Sequence, residues 1–447
     1  MNILRFKSAA QIISLLIAFI PLNELSAAQV LFTPTLTLSE EYSDNIFLSY
    51  RNEVDDYITT PSLNLDLQVT GRTAGMQLVL NPSYNAFADN SDYDYWRYAG
   101  RLGFWDQVGR NTRLELTSDY LETENPTDQS ANYTPDNPLA GPAIGTDLTR
   151  RGRNRYRTEV SVGRFTHQFG PRDNLSVAMQ YSHLEDVDPL PGQALEDNTN
   201  WQPSLGVAYW FTQRWGVSLD GYYSNRDYVD PSRNNRDEYT GTLRLQYAYS
   251  QTLTGFLEYR HTALYFEQPI DDDYQISEPA IGLTYQFQRD ASITISGGYY
   301  TQDFKHLDTK EGWIVNSSIY KRWTFRSSYL NLTGASGYQV QDAGAQDLGL
   351  DIYYEGRLEA GYNFTPRFTA MLFGGYRQDK YTNITPERTD KTTSSGASLS
   401  YQAFQWLSAS LSYNYNDVNS DVAAQEYTEN RVTLILTMQP SHAMRLN

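Results

Sequence analysis

The chain has 447 residues, no Cys, 36 Tyr, 18 Phe and 8 Trp, a formal net charge of −18 and a mean hydropathy of −0.57. That length fits two or three ordinary domains or one large closed barrel, and beyond the first residues nothing is apolar for the 18 or more positions that a spanning helix needs. So acidic a chain is not expected to bind nucleic acid, whereas its hydrophilic average suits a barrel with a watery lumen, where only alternate residues face lipid.

Residues 1–28 contain Arg5 and Lys7, an apolar run from Ile12 to Leu22, and Ser26-Ala27-Ala28. This is the pattern of a cleaved secretory signal peptide, and it leaves 29–447 as one domain. With no Cys after the cleavage site, no lipid anchor is expected there.

From residue 29 onward, stretches of about ten alternating residues are joined by connections that are short and long in turn. The short ones read T-G-R (70–72), D-Q-V-G-R-N (106–111), G-P-R-D-N (170–174), T-Q-R (212–214), S-Q-T (250–252), Q-R-D-A (288–291), K-R (321–322), T-P-R (365–367) and A-F-Q (403–405). They carry the residue types that hairpin turns require. Long connections fall near 43–56, 88–93, 124–153, 186–198, 228–236, 266–272, 304–311, 338–346, 382–387 and 418–425. The expected fold is all-β: a single transmembrane antiparallel up-and-down β-barrel of about 20 strands, or 18 if the weakly patterned 312–320 and 323–337 are not both strands. The expected location is the bacterial outer membrane, with both termini periplasmic and with lipid and lipopolysaccharide around the wall.

Within strands, Leu63, Leu65, Leu67 and Val69 alternate with Asn64, Asp66 and Gln68, and Leu350, Ile352, Tyr354, Leu358 and Tyr362 alternate with polar neighbours. A charge facing lipid at mid-depth costs about 2–4 kcal/mol, so the apolar face is expected outside. The predicted lumen lining is then Asp66, Arg97, Arg101, Arg113, Glu115, Asp119, Arg157, Glu159, Asp220, Arg244, Glu258, Arg260, Tyr353, Glu355, Arg357, Glu359 and Arg377, with Tyr222 and Tyr300. A wall of both signs with rings suits a strongly hydrated, neutral or mildly charged solute, although any large barrel needs a polar inner wall with charges paired across strands. A soluble sandwich is the competing architecture, but its loops need not alternate in length. Tyr57, Trp96, Tyr98, Trp105, Trp201, Trp215, Trp313, Trp323 and Trp406 near strand ends read as interfacial girdles.

The first strand starts near Leu31, leaving no room for an N-terminal plug. The candidate constriction is the 124–153 loop, with Arg150, Arg151 and Arg153 at its basic end; the alternative is a loop exposed at the surface. Pro61, Pro82, Pro203 and Pro279 sit on the apolar register eight to ten residues from a short turn. That is roughly 23 Å from the rim at ordinary rise and tilt, so they are expected at one level near the outer interface. His167, His183, His261, His306 and His442 show no metal-ligand spacing, and no Ser stands in a nucleophile elbow. Neither enzymatic activity nor a cofactor nor a metal is expected.

The stretches L-F-T-P-T-L-T-L-S-E-E-Y-S-D-N-I-F-L (31–48), D-D-Y-I-T-T-P-S-L-N-L-D-L (55–67) and E-N-R-V-T-L-I-L-T (429–437) resemble the family "putative beta-barrel porin 2". The resemblance implies an outer-membrane conduit for a secreted exopolysaccharide, working with periplasmic export partners. It supplies no catalytic residues. General diffusion of small hydrophilic solutes, or a structural or adhesive surface barrel, are the alternatives. The chain departs from the usual barrel ending, since Q-P-S-H-A-M-R-L-N (439–447) follows the last strand.

Overall fold

The alternation of the first hairpin sorts its side chains directly. Strands β1 (Gln29–Ser43) and β2 (Asp56–Thr70) pair antiparallel with Leu36 opposite Leu63 and Thr35 opposite Asn64, so apolar partners share one face and polar partners the other. The structure is a computed structural model that describes residues 29–126, 128, 153–188, 197–231, 233–269, 271–288, 291–343, 346–382 and 387–446. The predicted signal peptide, Arg150 and Arg151 lie outside the described residues.

The meander continues through β3 (Ala74–Phe87), β4 (Tyr95–Gln107), β5 (Thr112–Thr123), β6 (Tyr156–Gln168), β7 (Asn174–Asp186), β8 (Asn198–Tyr209) and β9 (Trp215–Tyr228). Next come β10 (Arg236–Ala248), β11 (Leu253–Phe266), β12 (Tyr274–Gln288), β13 (Ala291–Phe304), β14 (Lys310–Thr324) and β15 (Ser328–Ala343). The last are β16 (Gln346–Thr365), β17 (Phe368–Tyr381), β18 (Arg388–Phe404), β19 (Leu407–Ser420), β20 (Tyr427–Met438) and the short β21 (Met444–Arg445). Each strand pairs with its sequence neighbour, and β20 pairs with β1 from Ser43–Arg431 to Leu36–Met438, closing the barrel at twenty wall strands. The tail that looked anomalous in sequence extends this seam: Met444 and Arg445 of β21 pair with Phe32 and Leu31, the stretch of β1 that β20 does not reach.

The outward face is apolar. Leu243, Leu257 and Ile281, on three successive strands, are 50%, 54% and 66% exposed, while Glu258 and Glu278 beside them on the other face are 6% and 0% exposed. The girdle aromatics on strands follow the outward register except Trp105, which pairs with Glu115 and faces inward; its ring covers Gly75, where a Cβ would stand 2.1 Å from it, while Trp406 lies in the turn between β18 and β19. The turn expected at Lys321-Arg322 lies instead at 325–327, because both residues continue β14. Lys321 points outward with its ammonium 5.4 Å from the Phe287 ring and 5.6 Å from Trp323, an apolar stem with its charge shielded by rings.

Direct partners climb from the short-turn rim toward the long-loop rim. Thr70, at the short-turn end of β2, leads by successive pairs through Gly75, Trp105, Glu115, Arg164, Ala178, Ser204, Tyr222, Thr240, Thr262 and Ile276 to Gln302, near the far end of β13. This is about one residue per strand, the stagger of a tilted barrel. It also levels the prolines. Ser62 pairs with Ser83, so Pro61 and Pro82 adjoin one pair. From Pro82 the climb passes Tyr98, Glu122, Arg157 and Glu185, five strands leading about six residues above Pro203. From Ser204, next to Pro203, it reaches Ile276, four residues above Ala280, next to Pro279, after four strands. The four prolines therefore share one level to within about a residue.

Candidate functional site

Most of the predicted lumen residues share the inward register, and their charges meet there. Asp66 accepts a hydrogen bond from Gln77 at 3.0 Å. Arg97 reaches Asn81 at 3.1 Å and Asp128 at 3.0 Å, Arg101 meets Asp119 at 2.8 Å, and Arg113 meets Glu115 at 2.6 Å. Arg244 donates to Glu258 at 2.7 Å on the neighbouring strand, with Asp220 nearby on β9. Arg260 stands between Glu258 at 3.9 Å and Glu278 at 4.0 Å. Arg357 lies 3.7 Å from Glu359, and Tyr222 donates to Glu238 at 2.5 Å. Pairing across adjacent strands removes most of the cost of desolvating each charge and leaves the wall polar without a dominant sign.

Arg157 and Glu159 contradict the sequence assignment. Arg157 pairs with Glu122 and Glu159 with Tyr120, on the same register as Leu114, whose partner is Phe165; that register faces outward. Val160 and Val162 misled the reading, since they occupy the inner face opposite Asp119 and Thr117. Arg157 and Glu159 sit near the long-loop rim, where Arg157 bridges Glu122 at 3.1 Å and Glu185 at 2.9 Å, a set suited to headgroup level and not to apolar depth.

Sequence reasoning named Glu355 and Arg377 but missed the rest of the densest inner network. Arg377 holds Glu355 at 2.8 Å and Asp379 at 2.7 Å, with Asp351 at 3.6 Å, and Asp379 pairs directly with Asp390 on β18. Asp390 accepts from Ser420 at 2.6 Å and from Arg388 at 2.9 Å. Beyond β19, Glu429 meets Arg431 at 2.7 Å and Ser43 at 2.9 Å, carrying the chain of polar contacts across the seam. The signal was present in E-N-R (429–431): Glu429 and Arg431 share the face of Thr433 while Val432 and Leu434 take the other.

Rings in the lumen are mostly covered by arginine. Arg244 lies 4.4 Å from the Phe256 ring centre, Arg357 4.1 Å from Phe373, and Arg377 4.4 Å from Tyr353. Such stacking fixes the guanidinium plane and leaves its edge donors available, so these rings position cations and are not open stacking platforms for a solute. Tyr300 instead packs on Gly312, 3.0 Å from where a Cβ would be.

Two inward folds narrow the long-loop half. The first is the β1–β2 connection, where Ile46 is buried with Ile58, Phe87 and Tyr95 against the inner wall. Leu48 is 1% exposed and holds φ at 52°, a left-handed conformation that costs about 1–2 kcal/mol for a side chain of this kind and is maintained by the surrounding fold. Arg153 joins this fold, donating to the Ile46 carbonyl at 3.1 Å with its guanidinium 4.7 Å from the Phe87 ring centre. Burial draws Arg153 below its ordinary pKa, opposed by Tyr95 and Glu41. Of the three basic candidates, Arg153 thus turns toward the lumen; Arg150 and Arg151 lie outside the described residues.

The second lies on β15 and β16 near the long-loop rim. Leu350, expected to face outward, and Tyr338, expected in a connection, are buried with Leu264, Tyr274, Ile276, Tyr300 and Ile314, and Val340 and Ile352 pack on the same cluster. The connection expected over 338–346 is therefore largely strand. Fully burying an apolar side chain contributes about 1.5–3 kcal/mol, so this cluster holds Tyr338 and Leu350 firmly against the inner wall. Among the described residues, no group of three or more His, Cys, Asp and Glu could hold a metal ion.

A model of the family described as "Putative beta-barrel porin 2" matches residues 282–440. No curated protein matches the chain in sequence. Among solved structures, the chain is similar to Pseudomonas aeruginosa OccK2 (OpdF), at 12% identity over 94% of this chain and 99% of that one, with a TM-score of 0.41. It is also similar to a BenF-like porin from Pseudomonas fluorescens Pf-5, at 12% identity over 93% and 100% with a TM-score of 0.40. Acinetobacter baumannii OccAB4 matches at 12% identity over 94% and 100%, with a TM-score of 0.39. The chain is a porin-like β-barrel of the outer-membrane type.

Proposed function

We propose that the barrel is a passive outer-membrane conduit for a secreted exopolysaccharide, with the short-turn rim and both chain ends in the periplasm. The observation that carries this reading is the inner wall, where arginines and carboxylates neutralise each other in clusters on β4–β5, β10–β12, β16–β18 and β20. A strongly hydrated glycan exchanges hydroxyl hydrogen bonds with such a wall, and no single dominant charge would trap it. The likeness of residues 282–440 to the porin family supports a pore, and the resemblance noted in the sequence points to polysaccharide and to periplasmic export partners. Surrounding lipid and lipopolysaccharide would meet the outward charges at Arg157 and Glu185.

The same wall favours a second reading, general diffusion of small hydrophilic solutes. Deleting the gene and measuring secreted polysaccharide separates the two. Loss of secretion, restored by the wild-type gene, supports export; unchanged secretion with altered uptake of small solutes overturns it in favour of diffusion.

A further inference from the structure

Six of the nine short turns carry an exposed arginine: Arg72, Arg110, Arg172, Arg214, Arg326 and Arg367. They stand on the β2–β3, β4–β5, β6–β7, β8–β9, β14–β15 and β16–β17 connections, so they run around the rim and do not form a patch on one side. Arg445 of β21 adds an exposed arginine at the seam. Among the described residues no carboxylate pairs with any of these seven, whereas the lumen arginines are paired, as in Arg101–Asp119, Arg244–Glu258 and Arg431–Glu429. Arg322, on the inward register of β14 just inside the mouth, lies 4.5 Å from the Tyr329 ring centre.

Little opposes this charge locally. Asp106 lies on the outward register of β4, Glu115 is held by Arg113, and Asp173 accepts from the Trp210 backbone N–H at 2.7 Å, which locks its turn. The opposite rim has the other sign: on the described long connections carboxylates outnumber Arg and Lys, with Glu53, Asp92, Glu267, Asp308 and Asp421 exposed. The net charge of −18 is thus unevenly placed, and the short-turn rim is its cationic exception. Salt screens each charge over about 8 Å at physiological ionic strength, so a small anion meets one rim arginine at a time. A chain with an anionic group on each repeat meets several, and its affinity rises with their number. The guanidinium fork suits carboxylate in particular.

We propose that the short-turn rim is the capture site of the conduit and that the chain it takes is an acidic glycan, whose carboxylates exchange among the rim arginines before the chain enters the lumen. The inward Arg322 favours a ligand on the barrel axis over lipid headgroups, which reach only the outer surface. The acidic far rim repels such a chain once it has left and so hinders its return. Opposite signs at the two rims offset each other in ion selectivity, but they make capture one-sided. The proposal rests on the conduit reading and names its substrate class.

The test is block of the current through the full barrel in planar phosphatidylcholine bilayers by dextran sulfate and by neutral dextran of equal length, added to one side at a time. The chain has no Cys, so Asp308→Cys with a membrane-impermeant thiol reagent reports which rim faces which side. From the short-turn side, dextran sulfate should block at a several-fold lower concentration than dextran; from the long-loop side, or in potassium chloride of about 1 M, that advantage should vanish. Arg72→Gln, Arg110→Gln, Arg172→Gln, Arg214→Gln, Arg326→Gln and Arg367→Gln, made together, should also abolish it, with block by neutral dextran as the control that the barrel is folded and open. Equal block by the two probes from the short-turn side overturns the capture site. So does an advantage that survives the six substitutions; if these instead weaken association with spin-labelled phosphatidylglycerol, the ring serves lipid headgroups. In either case a steady current blocked by neutral dextran leaves the conduit reading standing, whereas a silent bilayer defeats both.

Discussion

The Arg260 guanidinium stands 5.1 Å from the centre of the Tyr338 ring, although Arg260 faces the lumen from β11 and the alternation of β15 assigns Tyr338 to the outside. The contact arises where β15 loses its pairing with β14 beyond Ser317–Ser336, while β16 stays paired with β17 up to Asp351–Tyr381. It brings Tyr338 beside the charged path through Glu258 and Glu278, so the inner polar network and the apolar cluster meet at one set of residues.

Arg377 is the residue whose loss should cost most. Its side chain is 5% exposed, and those of Asp351 and Asp379 are 1% and 2% exposed. Arg377→Leu leaves these carboxylates unneutralised and should destabilise the barrel by about 3 kcal/mol or more, seen as a lower urea midpoint in lipid vesicles. Arg377→Leu combined with Asp379→Leu should recover part of that loss, since a buried charge without its partner is worse than an apolar pair.

Single cysteines replacing Pro61, Pro82, Pro203 and Pro279, carrying spin labels, should report one depth. The pairing registers put them level to within about a residue, or roughly 3 Å along the normal. Accessibility to a polar relaxation agent should be similar at all four and higher than at Leu243 or Leu257. A graded series of depths would contradict the stagger.

Glu124, just past β5, carries a pH effect of defined sign. Burial raises its pKa from the ordinary 4.5 to about 6, with Arg155 and Arg153 opposing. Between these values the folded chain holds more protons than the unfolded one, so this group's contribution to stability falls as pH rises through about 4.5 to 6. Glu124 is only half-buried, so Glu124→Gln should flatten the slope of thermal midpoint against pH by roughly a degree across that window.

The paired charges of the wall predict weak ion selectivity. In a salt gradient of potassium chloride the reversal potential should lie near zero. Arg244→Gln removes one positive charge and leaves Glu258 only the longer contact with Arg260 at 3.9 Å, so it should move the potential in the cation-selective direction.

The wall was legible because lipid on one side and water on the other impose a period of two over ten residues or more, as in Leu63 to Val69. Turn chemistry then gave the strand count and the alternation of short and long connections. Legibility ended where that two-sided rule lapses. Arg157 and Glu159 lie beyond the apolar band, where outward positions tolerate charge, and Val160 and Val162 inside inverted the apparent pattern. Trp105 faces in because Gly75 leaves space beneath its ring. Lys321-Arg322 resembled a turn because an outward Lys shielded by Phe287 and Trp323 has no local sequence signature. The inner apolar cluster was invisible for a different reason: Tyr338, Val340, Leu350 and Ile352 carry the alternation of a wall strand, and only the end of β14–β15 pairing at Ser317–Ser336 accompanies their turn onto Leu264 and Ile276.

The most direct test of the conduit is single-channel recording from the purified barrel in a planar bilayer, before and after addition of the polysaccharide secreted by the producing cell. A conduit gives a steady current in the wild type and concentration-dependent block of that current by the polysaccharide. A bilayer that stays sealed with the protein inserted, or a current that the polysaccharide leaves untouched, overturns the conduit reading.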